Sequence, residues 1–263
     1  MKNNKKYKNK YNNKQNKQLI KINYNKNYKI NIKYYKPNIK INNKFTFYNI
    51  YSFLNYDFSF LEKLILNNCD CYNIPLSIHI KELNLFNCLN VNKCFNKFPN
   101  LKILSLYSKN LNDNLYIPFY LYNIEELYIF NYDIKFISNY LINLKSLSLN
   151  NCKIINFPKL YNLLYLNLFD MNINFIPNYF FNLNKLYLYN CNNISFIPSF
   201  INLKYLYINS CLNIKSIPKT LINLKYFKYI NYYLLDKLPN NFFPFYNFIN
   251  LKKFFFNDFI FIN

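Results

Sequence analysis

The chain has 263 residues, and its 33 lysines outweigh 11 carboxylates to give a formal charge of +22. About half of it is apolar, which excludes a wholly disordered protein and allows one domain with a substantial core. Gly, Ala, Arg and Trp are absent; all four need G or C in their codons, so the composition records an A/T-rich coding sequence before it records function.

Residues 1–44 hold 14 lysines and no Asp or Glu, leaving only +8 for the rest of the chain. This Lys/Asn-rich, low-complexity stretch is predicted to be a disordered tail. It lacks the apolar run of a signal peptide, and later apolar stretches are broken every few residues by Asn or Lys, so no transmembrane segment is expected. Attraction to nucleic acid or an anionic surface is the function open to such a tail. Residues 45–60, with Phe45, Phe47, Phe53, Leu54, Phe58 and Phe60, are apolar enough to form an N-terminal cap on the segment that begins at residue 61.

From residue 61 a pattern L-x-x-L-x-L recurs. It starts at Leu61, Ile80, Leu101, Ile124, Leu144, Leu163, Leu183 and Leu203, with weaker copies at Leu224 and Leu251. These are ten units of about twenty residues. Three other positions keep the same phase. An Asn usually precedes the first Leu, as at Asn100, Asn143 and Asn182. A Cys often comes after the third apolar position, as at Cys69, Cys88, Cys152, Cys191 and Cys211. An apolar-Pro pair marks the far side, as in Ile176-Pro177 and Ile197-Pro198. The L-x-L alternation predicts a strand with one buried face, and strands from successive units stack side by side. Proline suits an extended return path. Without Gly, Asn is the residue expected where a turn needs positive φ. Around residues 109–138 the register departs, with Lys109 and Tyr132 at the Cys position and Ile137-Ser138 at the Pro step, so a local irregularity is predicted there. The Phe-rich C-terminal end carries little polar cover for a solenoid terminus.

These units, for example Leu183-Asn184-Lys185-Leu186-Tyr187-Leu188-Tyr189-Asn190-Cys191, resemble the short-repeat leucine-rich-repeat family over residues 61–263. The resemblance implies an α/β fold: a right-handed solenoid with a parallel β-sheet on its concave face and mostly extended or 3₁₀ segments on the convex side. It implies a protein-interaction module, and it implies that the Asn/Cys position points inward and bonds backbone. The A/T bias resembles that of repeat proteins from large DNA viruses and from A/T-rich protozoa.

Few residues offer chemistry. Seven cysteines are an odd number and lack disulfide spacing, which favours a reducing, intracellular setting. No metal or cofactor is expected, because four-ligand spacing is missing and His79 is the single histidine. Glu82 and Glu126 fall at equivalent strand positions two units apart, about 10 Å, which is too far for a retaining glycosidase pair. No catalytic residue is predicted. What remains is the outward side of the strands. Tyr165, Asn167, Phe169, Lys185, Tyr187, Tyr189, Tyr205, Tyr207 and Asn209 occupy it in three consecutive units, and six of these nine are aromatic against 22% in the chain. Tyr128 and Phe130 sit there two units earlier. An unidentified protein partner is expected to bind at Tyr128, Phe130, Tyr165, Phe169, Lys185, Tyr187, Tyr189, Tyr205 and Tyr207.

Overall fold

The computed structural model describes residues 44–48, 61–72, 74–214, 216–230, 251, 253–256 and 259–262, all within the unit Asn43–Asn263. The readings for residues 1–43 and 49–60, and for the side chains of the Phe-rich end, lie outside them.

In chain order the strands are β1 (Lys44–Tyr48), β2 (Lys63–Asn67), β3 (Glu82–Phe86), β4 (Ile103–Tyr107), β5 (Asn114–Ile117), β6 (Glu126–Phe130), β7 (Asp133–Ile137) and β8 (Ser146–Asn150). They continue as β9 (Lys153–Ile154), β10 (Tyr165–Phe169), β11 (Lys185–Tyr189), β12 (Tyr205–Asn209), β13 (Tyr226–Ile230), β14 (Lys253–Phe256) and β15 (Phe259–Ile262). Among the described residues helix is confined to one turn, Val91–Cys94, and to 3₁₀ turns at Phe95–Lys97 and Phe119–Leu121.

Twelve strands form one sheet in the order β1-β2-β3-β4-β6-β8-β10-β11-β12-β13-β14-β15. Each of the ten L-x-x-L-x-L copies supplies one strand, and these ten run parallel. β1 adds a parallel strand before them, and β15 turns back antiparallel on β14. Register is straight: Leu83, Leu104, Leu127, Leu147, Leu166, Leu186 and Leu206 are successive cross-strand partners. Burial alternates in β2, β4, β6, β10, β11 and β12 as the pattern demands, Asn84 of β3 and Ser148 of β8 are buried as well, and every one of these leucines is fully buried. Each contributes about 1.5–3 kcal/mol, but only because a neighbouring turn covers it.

The turn after each strand shows how a chain without glycine manages. Asn68, Asn87, Asn131, Asn151, Asp170, Asn190 and Ser210 come directly after their strands with φ between 46° and 58°. Short polar side chains tolerate that left-handed region best among non-Gly residues. The conformation aims each N–H at the last carbonyl of the next strand, as in Asn190 N to Asn209 O at 2.9 Å. The cysteine next in sequence turns inward and donates its S–H to the carbonyl two residues back: Cys69 to Asn67, Cys152 to Asn150 and Cys211 to Asn209, at 3.3, 3.3 and 3.4 Å. All seven cysteines are free and buried.

A second turn stands before the strand in seven units, those whose first apolar residues run from Leu101 to Leu224. The first Leu donates its N–H to the carbonyl three residues back, for instance Leu183 to Phe180 at 3.0 Å and Leu203 to Phe200 at 3.0 Å. The recurrent Asn sits at the third position of this turn. Its side chain reaches the preceding unit: Asn143 Nδ2 donates to Tyr122 O at 3.0 Å, Asn162 to Ile142 O at 2.8 Å, Asn182 to Tyr161 O at 2.9 Å and Asn202 to Phe181 O at 2.9 Å. Seven such bonds run from Asn100 to Asn223. They tie each corner carbonyl to the side chain of the next unit.

The irregular stretch takes a definite form. β5, β7 and β9 make a second, three-stranded parallel sheet. The unit starting at Leu101 is the longest of those before the C-terminal end, and β5 lies in it, alternating exposed and buried with Leu115 and Ile117 inside. Ser108 replaces the positive-φ residue there. Its Oγ donates to Asp113 Oδ2 at 2.5 Å and accepts from Asn110 N at 2.9 Å, so the loop folds on its own side chains.

Candidate functional site

The outward positions of the sheet differ between its two ends. In β2 to β6 charged groups pair locally. Lys63 forms an ion pair with Glu82, Asn84 donates to Glu82 Oε1 at 2.9 Å, and Tyr128 donates to Glu126 Oε2 at 2.5 Å. Glu82 and Glu126 are thus occupied surface carboxylates, with Ile103 between them in register. Rings make one file here, Phe86–Tyr107–Phe130, with centroids 6.3 Å apart at each step. β8 presents only Ser146, Ser148 and Asn150.

From β10 onward the file becomes a cluster. Tyr165, Tyr187 and Tyr207 are direct cross-strand neighbours or one step removed: Tyr165 and Tyr187 lie 5.3 Å apart, and Tyr187 and Tyr207 stack at 5.9 Å. Phe169 stacks on Tyr189 at 5.4 Å, and Tyr189 leans on Tyr207 at 4.9 Å. Lys185 Nζ rides over the Tyr205 ring at 5.3 Å, and Lys228 over Tyr207 at 5.5 Å. Seven of the nine residues predicted from sequence, Tyr165, Phe169, Lys185, Tyr187, Tyr189, Tyr205 and Tyr207, come together in this patch. Phe130 stays with the other file, cut off from Phe169 by Asn150. Tyr128 reaches across the small side chains of β8. Burial first, then Glu126, pushes its phenol up to about 12, with the Tyr165 phenol adding to the effect. Burial, then Tyr207, likewise pushes Tyr189 up to about 12. The phenols remain neutral donors at physiological pH.

Two members of the patch were missed in the sequence. Tyr226 lies 6.3 Å from Tyr205, and Lys228 faces Tyr207. Their unit has a degenerate L-x-x-F core, yet its register is intact and would have placed both. At the centre, Asn167 donates to Ser148 Oγ at 3.1 Å, while its Oδ1 is closed off without a hydrogen-bond partner.

Charge divides along the same line. Residues 61–138 hold seven lysines against seven carboxylates, whereas residues 139–230 hold nine lysines against the single carboxylate of Asp170.

The residue before each recurrent Asn forms a further row, one that the repeat pattern contains but that sequence reasoning passed over. It occupies the second, corner position of the turn before the strand. Tyr122, Ile142, Tyr161, Phe181, Ile201 and Ile222 fill it in six consecutive units, each 49–61% exposed.

His79 is exposed and stands where other units carry the recurrent Asn. Among the described residues no group of three His, Cys, Asp or Glu side chains is arranged to hold a metal, and no helix is long and apolar enough to cross a membrane.

No protein-family model matches the chain, and no curated protein matches it. Among solved structures it is similar to a leucine-rich-repeat protein of Leptospira interrogans, at a TM-score of 0.31 and 16% identity, covering 65% of this chain and 67% of that one. By its own strand order and register, the chain folds as a leucine-rich-repeat-like α/β solenoid with little helix.

Proposed function

We propose that this protein is a binding module that captures another protein on the outward, concave side of β10–β13. The reading rests on one observation, the continuous contact of Tyr165, Tyr187, Tyr207, Tyr189 and Phe169 across adjacent strands. Such rings are stiff, half-buried by one another and already arranged, so docking on them orders little that is not ordered beforehand. Lys185 and Lys228 sit among them, and no carboxylate occupies an outward position from β8 to β13, which favours a partner segment that is acidic as well as apolar. No catalytic role is assigned. The seven free thiols favour action inside a cell.

The test is capture with the intact chain and with Tyr187→Ala/Tyr207→Ala. The double variant keeps the buried leucines and is expected to lose its partner, and the retained complex is expected to weaken as salt is added. Undiminished capture by the double variant refutes the patch. Partner loss only on removal of residues 1–44, with nucleic acid in the captured material, would instead favour the basic tail.

A further inference from the structure

The corner row poses a question separate from the concave face. A turn corner faces away from the core, so the fold places little demand on the side chain there, and most residue types fit. Coding bias does not explain the row either. Asn and Lys share the A/T-rich codons, and Asn fills the very next position at each of these turns. Yet six consecutive corners carry Tyr, Ile or Phe. The unit spacing makes them a file about 25 Å long. Tyr161 and Phe181 within it stack at 5.6 Å with planes 4° apart. Exposed apolar surface of this extent in a regular array marks a contact site.

Charge identifies what it contacts. Lys159 lies two residues before Tyr161, and Lys219 three before Ile222, while Lys145, Lys204 and Lys225 each come three residues after a corner. The nearby carboxylate, Glu125, is held by Lys102 and Lys145 at 2.9 and 3.0 Å. A second copy of the chain on this row would set lysine against lysine. An acidic protein segment is the alternative occupant, and it predicts that a reporter in the row is not quenched by lipid. Aromatic and branched side chains in a line, edged with lysine, match the boundary of an anionic bilayer, where rings settle at headgroup depth and ammonium groups meet lipid phosphates and carboxylates.

We propose that the row Tyr122–Ile142–Tyr161–Phe181–Ile201–Ile222 docks the solenoid edge-on to an anionic lipid surface, as a peripheral contact. The concave patch stays open to a partner. The other exposed apolar file, next to the apolar-Pro pairs, is less suited. Phe136, Phe175 and Phe196 are exposed there, but Asn156 and Ser216 break the sequence of aromatic side chains.

The chain contains no tryptophan, so Phe181→Trp installs a single reporter in the intact chain. The probe is phosphatidylcholine vesicles with or without phosphatidylserine, doped with a nitroxide-labelled lipid. Fluorescence from position 181 is expected to shift blue and be quenched by the anionic vesicles, and to be unaffected by neutral ones. A reporter introduced by Phe196→Trp, outside the corner row, is expected to remain unquenched. Tyr161→Ser/Phe181→Ser/Ile201→Ser, with its basic tail intact, is expected to partition to anionic vesicles at least about tenfold more weakly. Lys204→Gln/Lys219→Gln/Lys225→Gln should weaken partitioning without touching the row. Tyr187→Ala/Tyr207→Ala should not change it, so failure of the concave reading and failure of this one are told apart. No quenching at position 181 overturns the proposal. So does equal vesicle binding by the triple serine variant, which assigns binding to the tail, or a dimer that this variant converts to monomer, which assigns the row to a second copy.

Discussion

The two halves of the solenoid, residues 61–138 and 139–230, share one interior and differ in charge and in the outward side chains of their strands. The first is electrically balanced, its outward charges are paired, and its back carries the helical turns and two strands of a second sheet. The second has nearly regular units, no second-sheet strand after β9, a net excess of eight lysines and a contiguous aromatic patch. The contrast teaches what a stacked coil constrains. Its inner leucines must agree from turn to turn, because each is covered by the next unit. Its outward strand positions make no such contact with the interior, so they can diverge within one molecule.

The sharpest way to break that comparison is through the core. Leu104→Ala in the first half and Leu186→Ala in the second remove side chains that are equally inaccessible. Each is expected to cost about 2–5 kcal/mol in urea unfolding. A cost confined to one half would mean that the halves do not share a cooperative interior.

Alkali is expected to act next most strongly, and in both halves. Burial pushes Cys152 up to about 11, and Tyr128 and Tyr189 are pushed up to about 12. The folded chain therefore keeps protons that the unfolded chain gives up above about pH 9 for the thiol and about pH 10 for the phenols. Unfolding then releases protons, and stability falls as pH rises from there to each folded value, where that group's loss levels off. Urea midpoints measured from pH 8 upward check this. A flat profile would mean that these groups are not sheltered.

The two asparagine positions should separate by mechanism. Asn190→Val forces a β-branched residue into φ 51° and is expected to cost about 1–2 kcal/mol, whereas Asn190→Gly should be close to neutral. Asn182→Ala loses one side-chain bond to Tyr161 O and is expected to cost about 1 kcal/mol. Equal tolerance of Val and Gly at 190 would show that the turn relaxes.

Acid gives the smallest effect, through one carboxylate of the first half that also pairs with a lysine of the second. Hydrogen bonds from Lys102 and Lys145 hold the Glu125 carboxyl below the usual range. Its contribution is present above the ordinary carboxylate pKa and disappears as pH falls through the lowered one. The group faces solvent, so the change is slight and vanishes in salt. Glu125→Gln should therefore barely move the thermal midpoint at neutral pH.

Much of this was written in the order of residues. The period of about twenty, the L-x-L alternation and the short polar residue after each main-sheet strand from β2 to β12 specify a stacked parallel sheet, with left-handed turns after all of these but β4, because each is a local or nearest-neighbour requirement that a single unit already displays. The ten predicted strands come from the same register, whereas the inward Cys position was implied by the resemblance to leucine-rich repeats. The second sheet was less legible: Leu115 and Ile117 alternate as a strand should, but pairing β5 with β7 and β9 depends on the length of adjacent units. Three things were decided only by the tertiary structure. It separated Phe130 from the patch, since Asn150 lies between two files of rings. It brought Lys185 and Lys228 over tyrosines of neighbouring strands. And it set six apolar residues at turn corners, where a hydrogen bond three residues long turns the side chain outward. Whether a Tyr or an Ile ends inside or outside depends on which backbone group its neighbour must satisfy, and that is settled between units rather than along the chain.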